Sequence, residues 1–494
     1  MLLSELLERL DAAVISGDPD ATEITGVVYD SRKAEKGSLF VCVEGANSDG
    51  HDYLADVAEK GAAAVLVRRG HALPDPLPAG LAVAAVSDTR IGLAYTSAAW
   101  FGYPAEKIPV IGITGTQGKT TTTYMIRSIL MNAGYRVGLI GTIESIVGDR
   151  HLPAPNTTPE SYLIHQYLRE MIDAGADCAV MEVSSQALML HRTAGIEFEI
   201  GVFTNLSPDH IGPNEHSSFE QYLECKSMLF RQCRLGIVNA DDRWTDQVLR
   251  GHTCEVERYG IRSADADLRA DNIRHVTGPG YLGMTFSVSG RMSLQVELEL
   301  PGLFSVYNAL TAIAVCEHFS IREENILTAL RKARVKGRIE PVRVSDEFTL
   351  MIDYAHNAMA LESLLKTLRD YESGRIVCLF GCGGNRSRDR RFEMGEVSGK
   401  WADFTIITSD NPRYEKPEDI IADIVTGISR TGGRYITIPD RKEAIRYAIL
   451  NGKPGDIIVL AGKGHEDYQE IYGKKYPMDE RVLIGEILDE EALR

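Results

Sequence analysis

The run Gly112-Ile-Thr-Gly115-Thr-Gln-Gly118-Lys119-Thr120 leaves a chain few folds to adopt. It continues an apolar run of strand length, Val110-Ile-Gly-Ile-Thr114. It leads into a helical stripe of Met125, Ile126, Ile129, Leu130 and Ala133 that Gly134 can end. Glycines at such a strand-to-helix turn let backbone N–H groups converge on phosphate oxygens, and the helix N-terminus adds partial positive charge. Thr114, Gly115, Thr116, Gln117 and Gly118 would form the cradle. Lys119 would reach the terminal phosphates of ATP, and the Thr120 hydroxyl would bind Mg2+. The first glycine of the usual pattern is displaced, with Ile113 in its place and Gly112 one step early. An incidental glycine turn is the weaker reading, because strand, helix and Gly-Lys-Thr all stand in order.

Around this unit, continuous apolar runs alternate with amphipathic helices. Cys178-Ala-Val-Met-Glu-Val183 and Gly201-Val-Phe-Thr-Asn205 read as strands of a parallel sheet covered on both faces. A β-rich stretch from about 255 to 300 precedes Pro301-Gly302 and a helix from about Asn308. The alternation restarts near Gly337-Arg338, with strands expected at Leu350–Asp353, Arg375–Phe380, Phe404–Thr408 and Ile457–Ala461. Before Phe101-Gly-Tyr-Pro-Ala105, which reads as a linker, short strands and helices mix. The expected fold is α/β in three domains: a smaller mixed N-terminal domain (1–103), a central P-loop domain with a mostly parallel sheet (104–337), and a Rossmann-like C-terminal domain (338–494).

Composition narrows the partners. Seventy Asp and Glu against 53 Lys and Arg give a net charge of −17, which argues against nucleic acid or an anionic membrane as a main partner. No stretch approaches the ~20 apolar residues of a membrane span. The acidic, amphipathic start, with Leu2, Leu3, Leu6, Leu7 and Leu10 on one helical face, is unlike a secretory signal. Eight cysteines in such a chain read as reduced thiols, and Cys378-x-x-x-Cys382 has no second pair at zinc spacing. A cytoplasmic monomer acting on small molecules is the expectation.

Magnesium in a P-loop site usually has a second acidic ligand at a neighbouring strand end, where Glu182 stands. His210, in Ser207-Pro-Asp-His210, also follows a strand, as a site residue or as a surface or capping histidine. On the helix Phe219–Phe230, Lys226 falls among Phe219, Tyr222, Leu229 and Phe230. It either snorkels to water or is desolvated into a neutral amine that carbon dioxide can convert to a carbamate, an oxygen ligand for magnesium. Three C-terminal strands end in polar clusters: Gly381-Cys-Gly-Gly-Asn-Arg386, Ser409-Asp410-Asn411-Pro412-Arg413 and Gly462-Lys463-Gly464-His465-Glu466. Strand ends of one sheet converge, so these clusters can line one pocket with two guanidiniums and a carboxylate, suited to a zwitterion with an extra carboxylate.

Together these motifs, with Glu182-Val-Ser-Ser185, Tyr307-Asn308-Ala309, Gly337-Arg338 and Asp353-Tyr-Ala-His356, resemble the Mur ligases of peptidoglycan synthesis from about Thr25 to Glu466. The resemblance implies an ADP-forming ligase that activates a carboxylate with ATP and joins it to an amine. Its implied acid is UDP-N-acetylmuramoyl-L-alanyl-D-glutamate. Ser31 would contact the uridine nucleotide, and Asn156, Thr157, Thr158, Ser184 and Arg192 would hold the muramoyl dipeptide. Thr158, ahead of Pro159, also reads as a helix cap. Asn308, Arg338, Asp353 and His356 would serve ATP. Lys119, Glu182, His210 and Lys226 would be catalytic. Thr120, Glu182, His210 and Lys226, the last as N6-carboxylysine, would be the metal ligands.

Asp410-Asn411-Pro412-Arg413 resembles the signature of the members that add meso-diaminopimelate. Arg386 and Arg413 would take its second carboxylate, with Gly462 beside them and Glu466 on the ammonium. Gln117, Gln186 and Ala358 depart from the family's usual asparagine, histidine and proline. A lysine-adding ligase, a more distant relative that extends folate with glutamate, and a nucleotide-dependent switch without ligase activity are the rival readings.

Overall fold

The computed structural model describes residues 1–45, 48–208, 211–212, 215–278, 280–371 and 374–492. The chain packs into two compact units, Met1–Asp267 with Ala314–Phe319, and Leu268–Ile313 with Ser320–Arg494.

The first unit carries two sheets. One runs, in spatial order, Ala13–Ser16, Ala82–Val86, Ala64–Arg68, Ser38–Val41 and Gly26–Val28; only the edge strand Ala13–Ser16 is antiparallel to its neighbour. Leu3, Leu6 and Leu7 of the short helix Leu3–Leu7 are buried in its core, while Leu2 is exposed. The helix Thr89–Trp100 starts at Asp88, whose carboxylate accepts the N–H groups of Arg90 and Ile91.

The other sheet orders Glu255–Gly260, Cys233–Asn239, Phe198–Phe203, Val110–Thr114, Cys178–Glu182 and Val137–Ile140 in parallel, then Glu144–Val147 and Arg150–Pro153 antiparallel. Its central strands are buried along their length, as their continuous apolar runs require. The helix Ser161–Asp173 turns Ile164, His165, Leu168 and Met171 inward at helical spacing. The strand Val110–Thr114 lies between Cys178–Glu182 and Phe198–Phe203, so the turn after it opens where two other strands end on the same edge.

In the second unit, Leu268–Gly278, Tyr281–Gly290 and Leu294–Leu298 form an antiparallel meander. The following helix is Leu303–Cys316, starting five residues before the expected Asn308, because Leu303, Phe304 and Ser305 directly after Pro301-Gly302 already supply its first turn. A further sheet runs Glu340–Val342, Thr349–Asp353, Ile457–Ala461, Ile376–Phe380, Phe404–Ile407 and Tyr435–Thr437, parallel except for its first strand. Within this unit the Tyr371 hydroxyl donates to Gly283 O over 2.9 Å and accepts the Gly302 N–H.

All eight cysteines are free and buried, in keeping with reduced thiols. Among the described residues no helix is long and apolar enough to cross a membrane.

Candidate active site

The turn between Val110–Thr114 and the helix Lys119–Asn132 is held open by the neighbouring strand end. Thr116 N–H donates to Asn205 O and Gln117 N–H to Asn205 Oδ1, both over 2.9 Å; Asn205 Nδ2 and Thr204 Oγ1 donate back to Gln117 O. Gly115 has φ +148°, and a Cβ there would lie 1.9 Å from Thr204 Oγ1. Gly118, at φ +84°, is the residue before the first helical turn. Lys119 Nζ sits over the loop, donating to Gly115 O at 2.8 Å and Thr116 O at 3.0 Å. The Thr116 and Gln117 N–H groups are thus spent on Asn205, and the turn leads into a helix N-terminus with a cation beside it, a setting that suits phosphate oxygens.

Beside this turn, Glu182 ends its strand at 1% exposure. Its Oε2 accepts the hydroxyls of Thr120 (3.0 Å) and Thr142 (2.9 Å), and its Oε1 accepts the Thr142 N–H. A buried carboxylate touching the P-loop threonine hydroxyl is a hard-oxygen pair that fits magnesium. Lys226, on the helix Phe219–Ser227 that Ser218 caps, is also 1% exposed. It does not snorkel: Nζ donates to Gly115 O at 2.9 Å and lies 4.5 Å from the centre of the Tyr222 ring. The Tyr222 hydroxyl in turn meets Thr116 Oγ1 at 3.0 Å. His210 and Asp209 lie outside the described residues.

Among the described residues one other group has metal-ligand composition, Asp49, His51 and His71. His51 Nε2 accepts the Arg68 N–H at 2.9 Å, which leaves the proton on Nδ1, facing Asp49 Oδ1 at 2.6 Å. Both ring nitrogens are thus engaged, and the ring serves as a structural clasp.

The residues expected to hold the acid substrate spread along the first unit. Ser31 opens the 3₁₀ turn Ser31–Lys33 capped by Asp30, whose carboxyl the Arg32 guanidinium holds down at about 2. Asn156 is exposed, and the Thr157 and Thr142 hydroxyls meet at 3.0 Å. Thr158 is not a helix cap: the chain enters the helix two residues later, at Glu160, and Thr158 Oγ1 instead donates to Glu182 O and accepts the Ser184 N–H. Ser184 caps the helix Ser185–Met189. Arg192 NH1 donates to Thr158 O, and both Arg192 and Arg90 approach Glu160. Thr157, Thr158, Ser184 and Arg192 therefore form one chain of contacts leading to Glu182, with Ser31 on a separate element.

The second unit gathers Arg338, Asp353 and His356 around Tyr354. Arg338 lies 4.7 Å from the Tyr354 ring centre, and the His356 and His465 rings pack at 4.6 and 4.7 Å. Asp353 accepts the N–H groups of Ile339 and Ala355; burial pushes its carboxyl up, against the pull of Arg338. Gly337 has φ +69°, and a Cβ there would fall 2.1 Å from the Gly464 backbone, so only glycine fits. Asn308 is on the helix Leu303–Cys316 and is buried.

At the strand ends of the C-terminal sheet the expected clusters do meet. Arg413, at φ +50°, donates from Nε to Glu470 Oε2 (3.0 Å) and from NH1 to Gly384 O (2.7 Å). Asn411 Nδ2 donates to Glu466 Oε2, while its Oδ1 accepts from Lys463 Nζ and the Glu470 N–H, so its carbonyl oxygen is spent within the protein. Asp410 and Pro412 are buried beside it. Gly462 has φ +107°, and a Cβ there would stand 3.5 Å from Asp410 Oδ2. Arg386 is exposed.

Comparison with known proteins agrees across the whole length. Residues 23–100 match the Mur ligase family, catalytic domain; 113–316 the Mur ligase middle domain; and 337–464 the Mur ligase, glutamate ligase domain. The chain belongs to the Mur ligase family. This Mur ligase is 42% identical, over 96% of its length and 97% of the relative's, to a UDP-N-acetylmuramoyl-L-alanyl-D-glutamate--2,6-diaminopimelate ligase of Caldanaerobacter subterraneus subsp. tengcongensis. It is 40% identical to a ligase of the same name, numbered 1, in Clostridium acetobutylicum, over 99% and 100% of the two chains. A solved structure so named superposes with a TM-score of 0.72 at 29% identity, covering 100% and 99%. The folylpolyglutamate synthase of Mycobacterium tuberculosis, solved with ADP and AMPPCP, shares the fold at 19% identity and a TM-score of 0.59 over 76% of this chain and 92% of its own.

Three residues of these networks carry no sequence signal of their own: Thr142 and Asn205 stand at strand ends as ordinary polar residues, and Glu470 looks like a surface charge. The fold brings Thr142 to Glu182, Asn205 to Gln117 and Glu470 to Arg413.

Proposed function

We propose that this Mur ligase joins the D-glutamate γ-carboxyl of UDP-N-acetylmuramoyl-L-alanyl-D-glutamate to an amine of meso-diaminopimelate, converting ATP to ADP and phosphate. The observation that carries the reading is the pairing, in one hydrogen-bond network, of the Glu466 carboxylate, held by Asn411, with the Arg413 guanidinium, held by Glu470, whose N–H Asn411 also accepts. That pairing suits an amino acid bearing both an ammonium and a second carboxylate. The relatives' shared name supports the same substrates.

In this reading the substrate carboxylate attacks the γ-phosphorus, the bond to the ADP oxygen breaks, and an acyl phosphate forms. Lys119 and the N-terminus of the helix Lys119–Asn132 offset the charge gathering on the phosphoryl oxygens. Thr120 and Glu182 would hold magnesium, with His210 and Lys226 contributing to a second site; the metal would supply charge neutralisation at the phosphates. Lys226 is suited to become N6-carboxylysine: it is buried, and after its amine takes up carbon dioxide with loss of a proton, the remaining N–H can keep its bond to Gly115 O. Thr157, Thr158, Ser184 and Arg192 would orient the dipeptide and Ser31 the uridine end. Asn308, Arg338, Asp353 and His356 would serve the nucleotide. Glu466 and Arg413 would hold diaminopimelate while its free amine attacks the acyl carbon and phosphate leaves. The functional parts divide near residues 103 and 337.

The test is ADP release by the purified enzyme with UDP-muramoyl dipeptide, run separately with diaminopimelate, with lysine and with neither. Release only with diaminopimelate is expected. Equal turnover with lysine would assign it to the lysine-adding ligases, and turnover indifferent to either amine would end the ligase reading.

A further inference from the structure

Lys463 is fully buried at 0% exposure, an unusual setting for an ammonium, and the reaction as outlined gives it no task. Its Nζ meets Asn411 Oδ1 at 3.0 Å, Glu466 Oε2 at 2.8 Å and Tyr468 O at 2.5 Å, so every N–H is used; Asp410 Oδ1 stands 3.5 Å away. Each contact reaches a different part of the amino-acid pocket. Through Asn411 the lysine grips the turn that carries Arg413. Through Tyr468 O it holds the strand Tyr468–Ile471, which presents Glu470 to the Arg413 guanidinium. Through Glu466 it reaches the carboxylate assigned to the substrate ammonium.

The two oxygens of Glu466 are not equivalent. Oε2 is taken by Lys463 and by Asn411 Nδ2 at 2.9 Å, whereas among the described residues Oε1 has only a long contact, 3.4 Å, with the Tyr354 hydroxyl. A carboxylate pinned by one oxygen presents the other in a fixed direction, and its charge is already stabilised before a ligand arrives.

We propose that Lys463 is a positioning residue for the amine substrate: it clamps Glu466 by Oε2 so that Oε1 faces the substrate ammonium. This rests on the ligase reading above. Burial by itself would raise the Glu466 carboxyl, but Lys463 and Asn411 together hold it below the ordinary range, as a waiting anion must be. A lysine that merely filled the core would act on all substrates alike; one that acts through Glu466 acts on the amine alone.

The experiment compares the full-length wild type, E466Q, K463M and K463M/E466Q for the KM of diaminopimelate, of ATP and of the UDP-muramoyl dipeptide. E466Q and K463M are each expected to raise the diaminopimelate KM at least tenfold while moving the other two less than twofold. The double variant, which removes both buried charges together, should match E466Q within twofold. A further tenfold loss in the double variant, or a K463M whose three KM values rise together, would overturn the proposal. Should K463M fail to fold, the comparison of E466Q with the double variant decides alone. Wild-type enzyme that releases no ADP with diaminopimelate overturns the ligase reading, and this inference with it.

Discussion

The Thr120 hydroxyl donates to Glu182 Oε2 over 3.0 Å, joining the first turn of the P-loop helix to the end of the adjacent strand. Parallel register makes the meeting: Glu182 stands beside Ile113, so both strands deliver their next residues to one edge. Replacing the carboxylate by an amide keeps the shape and removes the anion. Glu182→Gln should lower turnover at least about 100-fold and shift the magnesium dependence to higher concentration. A magnesium titration of ADP release measures both, and an unchanged titration would remove Glu182 from the metal site.

Gly115 has no room for a methyl group. A Cβ would meet Thr204 Oγ1 at 1.9 Å, and that hydroxyl is itself committed to Gln117 O at 2.7 Å, so it cannot swing aside without loosening the loop. Gly115→Ala should therefore weaken ADP binding by at least about tenfold, a cost of ~1.4 kcal/mol. Calorimetric titration with ADP checks it; wild-type affinity would show that the loop tolerates the shift.

How much of the site is legible in the chain tracks how local the cause is. The strand Val110–Thr114 and the helix from Lys119 follow from neighbouring residues, glycines then a hydroxyl then an apolar stripe, and stand where expected. Helical spacing puts Lys226 on the right helix, but whether it reaches water depends on Tyr222 and Gly115 O closing over it, which no spacing reveals. Thr158 has the look of a cap because proline follows it; the tertiary demand of Glu182 O and the Ser184 N–H takes its hydroxyl instead. Asn411 sits at the expected strand end, yet its amide is used to knit Lys463, Glu466 and Glu470 together, partners up to 59 residues away.

Lys226 offers a chemical test of its proposed carbamate. Lys226→Ala removes the amine and should leave turnover at least about 100-fold down. A small carboxylic acid added to the variant can restore an oxygen anion in the vacated space, and partial recovery of ADP release is expected. No recovery across a series of formate, acetate and propionate would count against a carboxylated side chain at this place.

Arg413 is held in its left-handed backbone by the Glu470 and Gly384 contacts, with Arg413 N–H also bonded to Glu470 O. Its charge is thereby fixed in direction for a carboxylate. Arg413→Ala should raise the diaminopimelate KM by about 30-fold, the loss of a charge-assisted bond of ~2 kcal/mol, and leave the ATP KM within twofold. Equal rises in both would contradict its place in the amino-acid pocket.

His165 gives the fold a pH limit that has nothing to do with turnover. It lies inside the helix Ser161–Asp173 with no exposed surface, and neither ring nitrogen has a hydrogen-bond partner among the described residues. Burial pushes its imidazole down to about 4, whereas in the unfolded chain it titrates near ~6.5. The sign follows directly. Above about pH 6.5 both states are neutral at this position and the full stability is present. As pH falls the unfolded chain takes a proton that the folded protein refuses, so stability drains away between about pH 6.5 and 4, by about 3 kcal/mol in all. His165→Met keeps an apolar side chain of similar length and removes the titration. Urea unfolding of both proteins at pH 7.5 and pH 5 should therefore show the wild type losing more stability than the variant on acidification. Equal losses would mean that the imidazole finds a way to protonate inside the folded protein.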